Sequence, residues 1–381
     1  MSFILYKSNS NHKGSESRYL SVLLVVARVL LGIVFVFSGF VKSIDPLGST
    51  YKFEDYFHAF GGIFNALDWL AFPAAIALST FELMLGLNLI FKINLKLTSI
   101  FVFVFMLVMT PLTLFIALKN PVSDCGCFGD ALVLSNWATF YKNVIFLSLS
   151  IFLLIFKNKI RPFLMPYAEW IAIIVFVFVG LGLSGYCYRH LPLIDFRPYK
   201  VGTNILKAMQ IPANAPVDKY QTTFIYQKNG VQKEFNLENY PKNDSTWKFV
   251  DQKSVLISQG FRPAIHDFSI IDTQYNDITN QIISNKGSTY LLLMYDVSKA
   301  SEKGAEKAEA IYQKTLRNGS KFYAITASTD ADIQQFVLKT KITYPFCKAD
   351  PITLKTIIRA NPGLVLIKNG TIQGKWNWRD F

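Results

Sequence analysis

Residues 20–41 read LSVLLVVARVLLGIVFVFSGFV, a run of 22 residues from Leu20 to Val41 broken by one charge, Arg28. About 20 consecutive apolar residues are enough to cross the hydrocarbon core of a bilayer as a helix. Four further runs of similar length follow, Trp69 to Phe91, Leu97 to Leu118, Trp137 to Phe156 and Ala168 to Cys187. Hydrophobic residues make up 51% of the chain and charged residues 17%, too apolar for an ordinary soluble protein. Nearly all of that excess lies before about Tyr188. The expected architecture is an α-helical membrane bundle of four spans plus a fifth, followed by a soluble half. No small-residue cleavage site follows the first run, so it is read as a retained span and not as a leader.

Short basic loops mark the cytoplasmic side of a membrane protein. Lys7, Lys13 and Arg18 precede the first span, Lys92 and Lys96 lie between the second and third, and Lys157, Lys159 and Arg161 follow the fourth. The other two loops mix lysine with aspartate and glutamate. The expected topology is therefore a bacterial inner membrane protein with its N-terminus in the cytoplasm. The loop after the third span and the soluble half then lie in the periplasm, where disulfides persist. The formal net charge of +13 is scattered and forms no basic stripe, which argues against nucleic acid. Membrane lipid and other envelope or periplasmic proteins are the expected partners. The expected divisions are a tail at 1–19, a transmembrane bundle at 20–164, a fifth span at 165–191, a β-rich linker subdomain at 192–262 and an α/β domain at 263–381.

The loop after the third span contains Asp124-Cys125-Gly126-Cys127-Phe128-Gly129-Asp130 and so holds two of the four cysteines. Cysteines separated by one glycine close only a small, strained disulfide ring, and strain makes a disulfide more oxidising. Gly126 supplies the backbone freedom such a ring requires. Cys125 and Cys127 are thus a candidate redox pair. Three other readings stand beside it: an inert disulfide, thiols buried as small residues in a tight turn, and a metal site. The last lacks support, because zinc takes about four ligands and the loop has no histidine; no metal is expected. Cys187 ends the fifth span on the same side and is a candidate resolving thiol, or a lone cysteine in an apolar helix.

Ionisable residues within spans are costly and are usually paired or functional. Arg28 and Glu82, counted from the ends of their apolar runs, fall at similar depth and are expected to form an intramembrane ion pair. Gly32 and Ser38-Gly39 would let a neighbouring helix approach closely, and Lys42 is read as a headgroup anchor. Between the first two spans, Tyr51, Phe53, Tyr56, Phe57 and Phe60 are spaced for an interfacial amphipathic helix.

In the soluble half, Thr222 to Tyr226 and Val231 to Leu237 flank Asn229-Gly230, a hairpin signal, and Trp247 to Ile257 adds a third strand. From Ile265 strands and helices alternate: strands at Tyr290 to Tyr295 and Phe322 to Thr326, helices at Ala305 to Leu316 and Asp330 to Lys339. A closing hairpin at Leu364 to Lys368 and Thr371 to Trp376 turns at Asn369-Gly370. That order fits an α/β sandwich with a mixed sheet.

The arginine, Ser-Gly and lysine of the first span, the glutamate of the second and the Cys-Gly-Cys-Phe-Gly-Asp loop together resemble the DoxX/MauE group of redox-associated membrane proteins, over about residues 20 to 156. The resemblance implies a four-helix bundle linked to thiol oxidation, quinone reduction or maturation of disulfide-containing periplasmic enzymes, with Cys125 and Cys127 as the redox pair and quinone as the one cofactor suggested. The added fifth span and outer domain are similar to a DoxX-type subgroup of the Bacteroidetes. From Ile265 the chain resembles a thioredoxin fold of the TlpA or peroxiredoxin-like sort, on Ile265 to Ile270 as an opening strand and on Asn361-Pro362-Gly363 before an apolar strand, where that fold carries a cis-proline. Its CxxC position reads Ser298-Lys299-Ala300-Ser301. Hydroxyls cannot carry out thiol-disulfide exchange, so Ser298, Ser301 and Pro362 mark a degenerate site. Two functions follow as expectations. In the first, the CxC exchanges thiols and disulfides in the periplasm, coupled to quinone or a partner oxidoreductase. In the second, the protein is a non-catalytic accessory or scaffold subunit of an envelope complex whose thioredoxin-like domain docks partners.

Overall fold

The computed structural model describes residues 10–122, 124–160, 164–242, 244–258 and 260–381. Lys7 and Arg161, used above as topology signals, lie outside them. Among the described residues six long helices form the first half: α1 (Ser10–Ile44), α2 (Pro46–Phe60), α3 (Asp68–Phe91), α4 (Leu95–Lys119), α5 (Asn136–Phe156) and α6 (Pro166–Arg189). Five segments are long and apolar enough to cross a membrane: Arg18–Ile44, Gly62–Phe91, Leu95–Lys119, Asn136–Lys159 and Pro166–Arg189. The protein is a membrane protein. Helix α1 begins at Ser10, within the stretch assigned above to the tail.

Small residues set the tightest packing. A Cβ on Gly39 would lie 2.3 Å from the Leu83 backbone nitrogen, and one on Gly86 would lie 2.4 Å from that of Val36, so α1 and α3 touch backbone to backbone, as in other close membrane helix pairs. Leu31, Phe35, Leu85, Leu89, Met106 and Leu153 fill the seam between these helices and their neighbours α4 and α5. The expected interfacial helix is α2. Asp45 caps it by accepting from the Gly48 N–H at 2.9 Å, and Pro46 occupies its first position, where a missing N–H costs nothing. Its aromatic residues do more than lie at an interface: Tyr56 reaches the cysteine loop and Tyr51 reaches the second half of the chain.

The second half holds two sheets. The smaller has β1 (Lys219–Lys228), β2 (Val231–Asn236) and β3 (Lys248–Ser258) in the order β2-β1-β3, all antiparallel, turned at Asn229 and Gly230, both at positive φ. A short helix, α7 (Ile205–Met209), precedes it. The larger domain runs α8 (Thr279–Ile283), β4 (Ser288–Met294), α9 (Glu302–Asn318), β5 (Lys321–Thr326), α10 (Asp330–Thr340), β6 (Phe346–Lys348), α11 (Pro351–Ile357), β7 (Gly363–Lys368) and β8 (Thr371–Asn377). Its sheet order is β6-β5-β4-β7-β8, with β4, β5 and β6 parallel and β7 and β8 antiparallel. This is an α/β domain of thioredoxin-like arrangement: a parallel βαβ unit, then an antiparallel hairpin entered through a cis Asn361–Pro362 bond. Apolar clusters cover both faces, one around Ile282, Leu291 and Ile325, the other around Leu292, Phe322 and Tyr344. Tyr199 and Ile205, assigned above to the linker subdomain, are buried in the first of these.

The strand expected at Ile265 to Ile270 does not form. Ile265, Phe268 and Ile270 are buried, but the backbone bonds of this stretch go to scattered partners, Ile265 to the Ala208 carbonyl and Ile270 to Ile278 and the Thr279 hydroxyl, so no ladder forms. Ile271 makes isolated bridges to Asp277 and to Lys348 of β6, and β6 itself holds the edge. Cys347 is buried within β6.

Candidate functional site

The cysteine loop sits at the end of the bundle where α1 meets α2, roofed by α2. Asp124 accepts the Gly126 N–H at 2.8 Å and a bond from Lys52 at 2.7 Å; Tyr56 of α2 donates to the Cys125 carbonyl at 2.8 Å. Gly126 has φ +64°, a conformation other residues adopt only at a cost, and it brings the two thiols to an Sγ–Sγ distance of 2.9 Å in the free form. Cys125 is 8% exposed. Cys127 lines a pocket of about 40 Å³ that points into the bundle, shared with Ser38, Lys42, Glu82, Phe128 and Lys142. Such a volume holds a few waters.

Beneath the loop lies a buried polar cluster. Lys42 Nζ lies 2.8 Å from both carboxylate oxygens of Glu82. Ser38 Oγ lies 2.7 Å from Glu82 Oε2 and 2.7 Å from the Cys127 carbonyl. Lys142 of α5 stands over the Phe128 ring, 4.3 Å from its centroid. The two thiols therefore differ. The hydrogen bond from Cys125 pulls the Cys127 thiol well below the ordinary thiol value against its burial, with Lys142 and Lys42 adding to the effect. The same hydrogen bond, then burial, pushes Cys125 upward. Glu82 and burial oppose the effect at Cys127, and the two thiols are set apart in acidity by their neighbours.

The expected ion pair between Arg28 and Glu82 is absent from this arrangement. Arg28 donates to the Leu89 carbonyl and, at 2.8 Å, to that of Ile90, whereas Glu82 pairs with Lys42. Depth counted from the ends of the apolar runs misled, because α1 continues well past the end of α3: Arg28 lies level with residues 89 and 90, and Ser38 with Glu82. Lys42, read as a headgroup anchor, is buried. The signal that could have located it is its position four residues after Ser38, on the same helical stripe as Gly32 and Phe35. Cys187 is buried near the end of α6, where the Leu193 backbone faces it; the sulfur that Cys125 meets is that of Cys127.

In the α/β domain the serines serve the backbone. Ser298 donates to Asp296 at 2.6 Å. Ser301 caps α9, its hydroxyl accepting from the Gly304 N–H and its own N–H bonding to the Asn361 carbonyl at 3.0 Å. Gly304 lies against Pro362, which an added Cβ would approach to 2.8 Å. The two centres meet one interface. Tyr295, just after β4, packs edge-on against Tyr51 at 6.3 Å between ring centroids. Arg359, just before the cis-proline, reaches across to Asp45 at 2.9 Å and to Asp130 of the cysteine loop at 3.0 Å. A cavity of about 280 Å³ remains between the two halves, bounded by Gly126, Gly129 and Asp130 on one side and Lys355, Thr356 and Arg359 on the other. No group of three or more metal-ligating side chains occurs among the described residues.

Fold and site together define a helical membrane bundle carrying a paired-thiol loop, joined to a thioredoxin-like domain without thiols at the corresponding turn. A family model described as "Methylamine utilisation protein MauE" matches residues 20–156, the four-span part that holds the loop. A second, "Domain of unknown function (DUF8463)", matches residues 220–259, the three-stranded sheet. Among solved structures the chain is similar to "Solution structure of a putative protein disulfide isomerase from Bacteroides thetaiotaomicron", with 19% identity over 29% of this chain and 75% of that one and a TM-score of 0.24. No curated protein matches.

Proposed function

We propose that the protein is a redox-associated membrane protein that exchanges thiols and disulfides through Cys125 and Cys127. The observation that carries this reading is the geometry of the pair, two thiols 2.9 Å apart with Cys127 in a pocket it shares with Lys42 and Lys142, cations that favour a thiolate at Cys127. Stabilising the thiolate stabilises the reduced form, which makes the oxidised form a stronger oxidant. In the forward step a substrate thiolate attacks Cys125 Sγ of the Cys125–Cys127 disulfide, and Cys127 leaves as a thiolate. The second substrate thiol, giving up its proton, displaces Cys125, which takes up a proton as its high affinity for one dictates. The substrate has then lost two electrons and two protons to become a disulfide. The reduced pair passes two electrons to a quinone or to the disulfide of a partner oxidoreductase.

Basic residues Lys92, Lys96, Lys157 and Lys159 at the opposite end of the bundle support an orientation in which that end is cytoplasmic. The loop and the α/β domain are then periplasmic, in a bacterial inner membrane, as in the DoxX-like and TlpA-like reading of the chain. Cys127→Ser, with Cys125 left in place, should capture the reverse step in intact cells: the Cys125 thiolate attacks the disulfide of an oxidised substrate, one substrate sulfur leaves as a thiolate, and the mixed disulfide that no second thiol resolves is visible on non-reducing gels and lost on reduction. Absence of any adduct, together with unaltered thiol status of envelope proteins in a Cys125→Ser/Cys127→Ser strain, would leave the accessory-subunit reading in its place.

A further inference from the structure

The α/β domain is held to the bundle at two places of different character. One lies beside the covalent connection: His190 pairs with Asp380 at 2.6 Å, Asn377 donates to the His190 carbonyl at 2.7 Å, and Arg379 lies over Tyr188. Its contacts are partly exposed, as suits a pivot. The other is the Arg359 cluster. The side chain of Arg359 is 8% exposed, its Nε bonds both oxygens of Asp45 and its other arm reaches Asp130. Asp45 also caps α2, so a single guanidinium ties together the helix that roofs the cysteines, the loop that carries them and the turn before the cis-proline. Tyr51 packs between Arg359, Lys355 and Tyr295. Burial alone would raise the Asp45 carboxyl, but Arg359, Arg197 and the Gly48 N–H hold it below the ordinary carboxylate value, so the clamp stays charged.

With the clamp made, the proline-side end of the domain is turned onto α2 and the loop. Between the domain and the loop lies the 280 Å³ cavity, which borders Gly126, between the two cysteines, and Gly129, and which is large enough for a small molecule but far too small for a folded protein. We propose that the α/β domain is a latched cover over the cysteine pair, with Arg359 as the latch: in the latched form only small molecules reach the thiols, and a protein reactant requires Arg359 to release Asp45 and Asp130. The proposal rests on the reading of Cys125 and Cys127 as a reactive pair, and it deepens that reading by assigning the conformational step that selects the reactant.

The test uses the full chain in membranes with Cys187→Ser and Cys347→Ser, fully reduced, labelled by N-ethylmaleimide and by a maleimide carrying a long polyethylene glycol chain. The parent should react with the small reagent and exclude the large one. Arg359→Met should raise the rate with the large reagent roughly tenfold or more, since it removes the charge-assisted bonds that join Asp45 and Asp130 to the α/β domain, and change the small-reagent rate by less than about twofold. Arg359→Lys, which keeps the charge but cannot fork to both carboxylates, should fall between. Amide exchange along α1 should be unchanged in both variants, with α2 exchanging faster, which separates unlatching from unfolding. Equal access of the large reagent in the parent, or an unchanged ratio of rates in a folded Arg359→Met, would overturn the cover. Because labelling of reduced protein needs no turnover, a pair that labels as described but never cycles would refute the exchange reading alone.

Discussion

The cysteine loop of the bundle and the turn at Ser298 of the α/β domain are both hydrogen-bonded bends next to a proline or glycine that shapes the backbone. They differ in what their side chains are for. In the loop, sulfurs are set against Lys42 and Lys142 while main-chain groups are satisfied by Tyr56, Ser38 and Asp124. In the turn, the side chains themselves satisfy the backbone, Ser301 at the start of α9 and Asp296 at the Ser298 N–H. The fold supplies a place for chemistry in the α/β domain, but the residues there perform a capping task, and the reactive electrostatics sit in the bundle. Function follows the side chains and not the architecture.

The largest expected effect breaks the support of the loop. Glu82→Ala leaves Lys42 as an uncompensated buried cation and should cost about 3–5 kcal/mol. Thermal unfolding in detergent measures this, and adding Lys42→Met should recover most of the loss. On the other side of the interface, Gly304→Ala drives a methyl against Pro362 and Trp378; overpacking of this kind should destabilise the α/β domain by about 1–3 kcal/mol and leave alkylation of Cys127 unchanged. A third variant sharpens the contrast in charge. Cys127 is a thiolate at every pH above its lowered folded value, so its alkylation should already be near maximal at neutral pH, where an ordinary thiol with a value of about 8.5 is slow. Lys142→Met should move the midpoint of the rate against pH upward by about one unit, and Lys142→Arg should restore it. The smallest effect belongs to the turn: Ser301→Ala removes a helix cap worth about 1 kcal/mol, seen as a lower unfolding midpoint of the α/β domain with no change in thiol reactivity.

Much of the fold is legible in the sequence because it depends on local signals. Apolar runs of spanning length mark the five membrane segments, Asn229-Gly230 and Asn369-Gly370 mark two hairpins, and Asn361-Pro362 marks the cis bond. The polar cross-links are not local. Lys42 and Glu82 lie 40 residues apart, and Arg359 lies 314 residues from Asp45 and 229 from Asp130, so no window of sequence holds both partners. The Arg28 assignment failed for a related reason: the end of an apolar run does not fix how far a helix extends beyond its neighbour. The strand at Phe346–Lys348 has three residues, too few to show a period, and its rival at Ile265 to Ile270 has the apolar pattern of a strand without a continuous run of backbone partners. Cys125 and Cys127 were conspicuous by spacing, but the cations that distinguish them, Lys42 and Lys142, come from two different helices.

The central claim is that Cys125 and Cys127 form a reversible dithiol–disulfide couple, and the direct measurement is the redox state of this pair in native membranes equilibrated across a series of glutathione buffers, read by alkylation and mass of the loop peptide. A single two-electron transition between the dithiol and the Cys125–Cys127 disulfide, shifted to more reducing potential in Lys142→Met, is the predicted result. A pair that stays reduced across the whole series, or a disulfide that no buffer in it can open, would contradict the account.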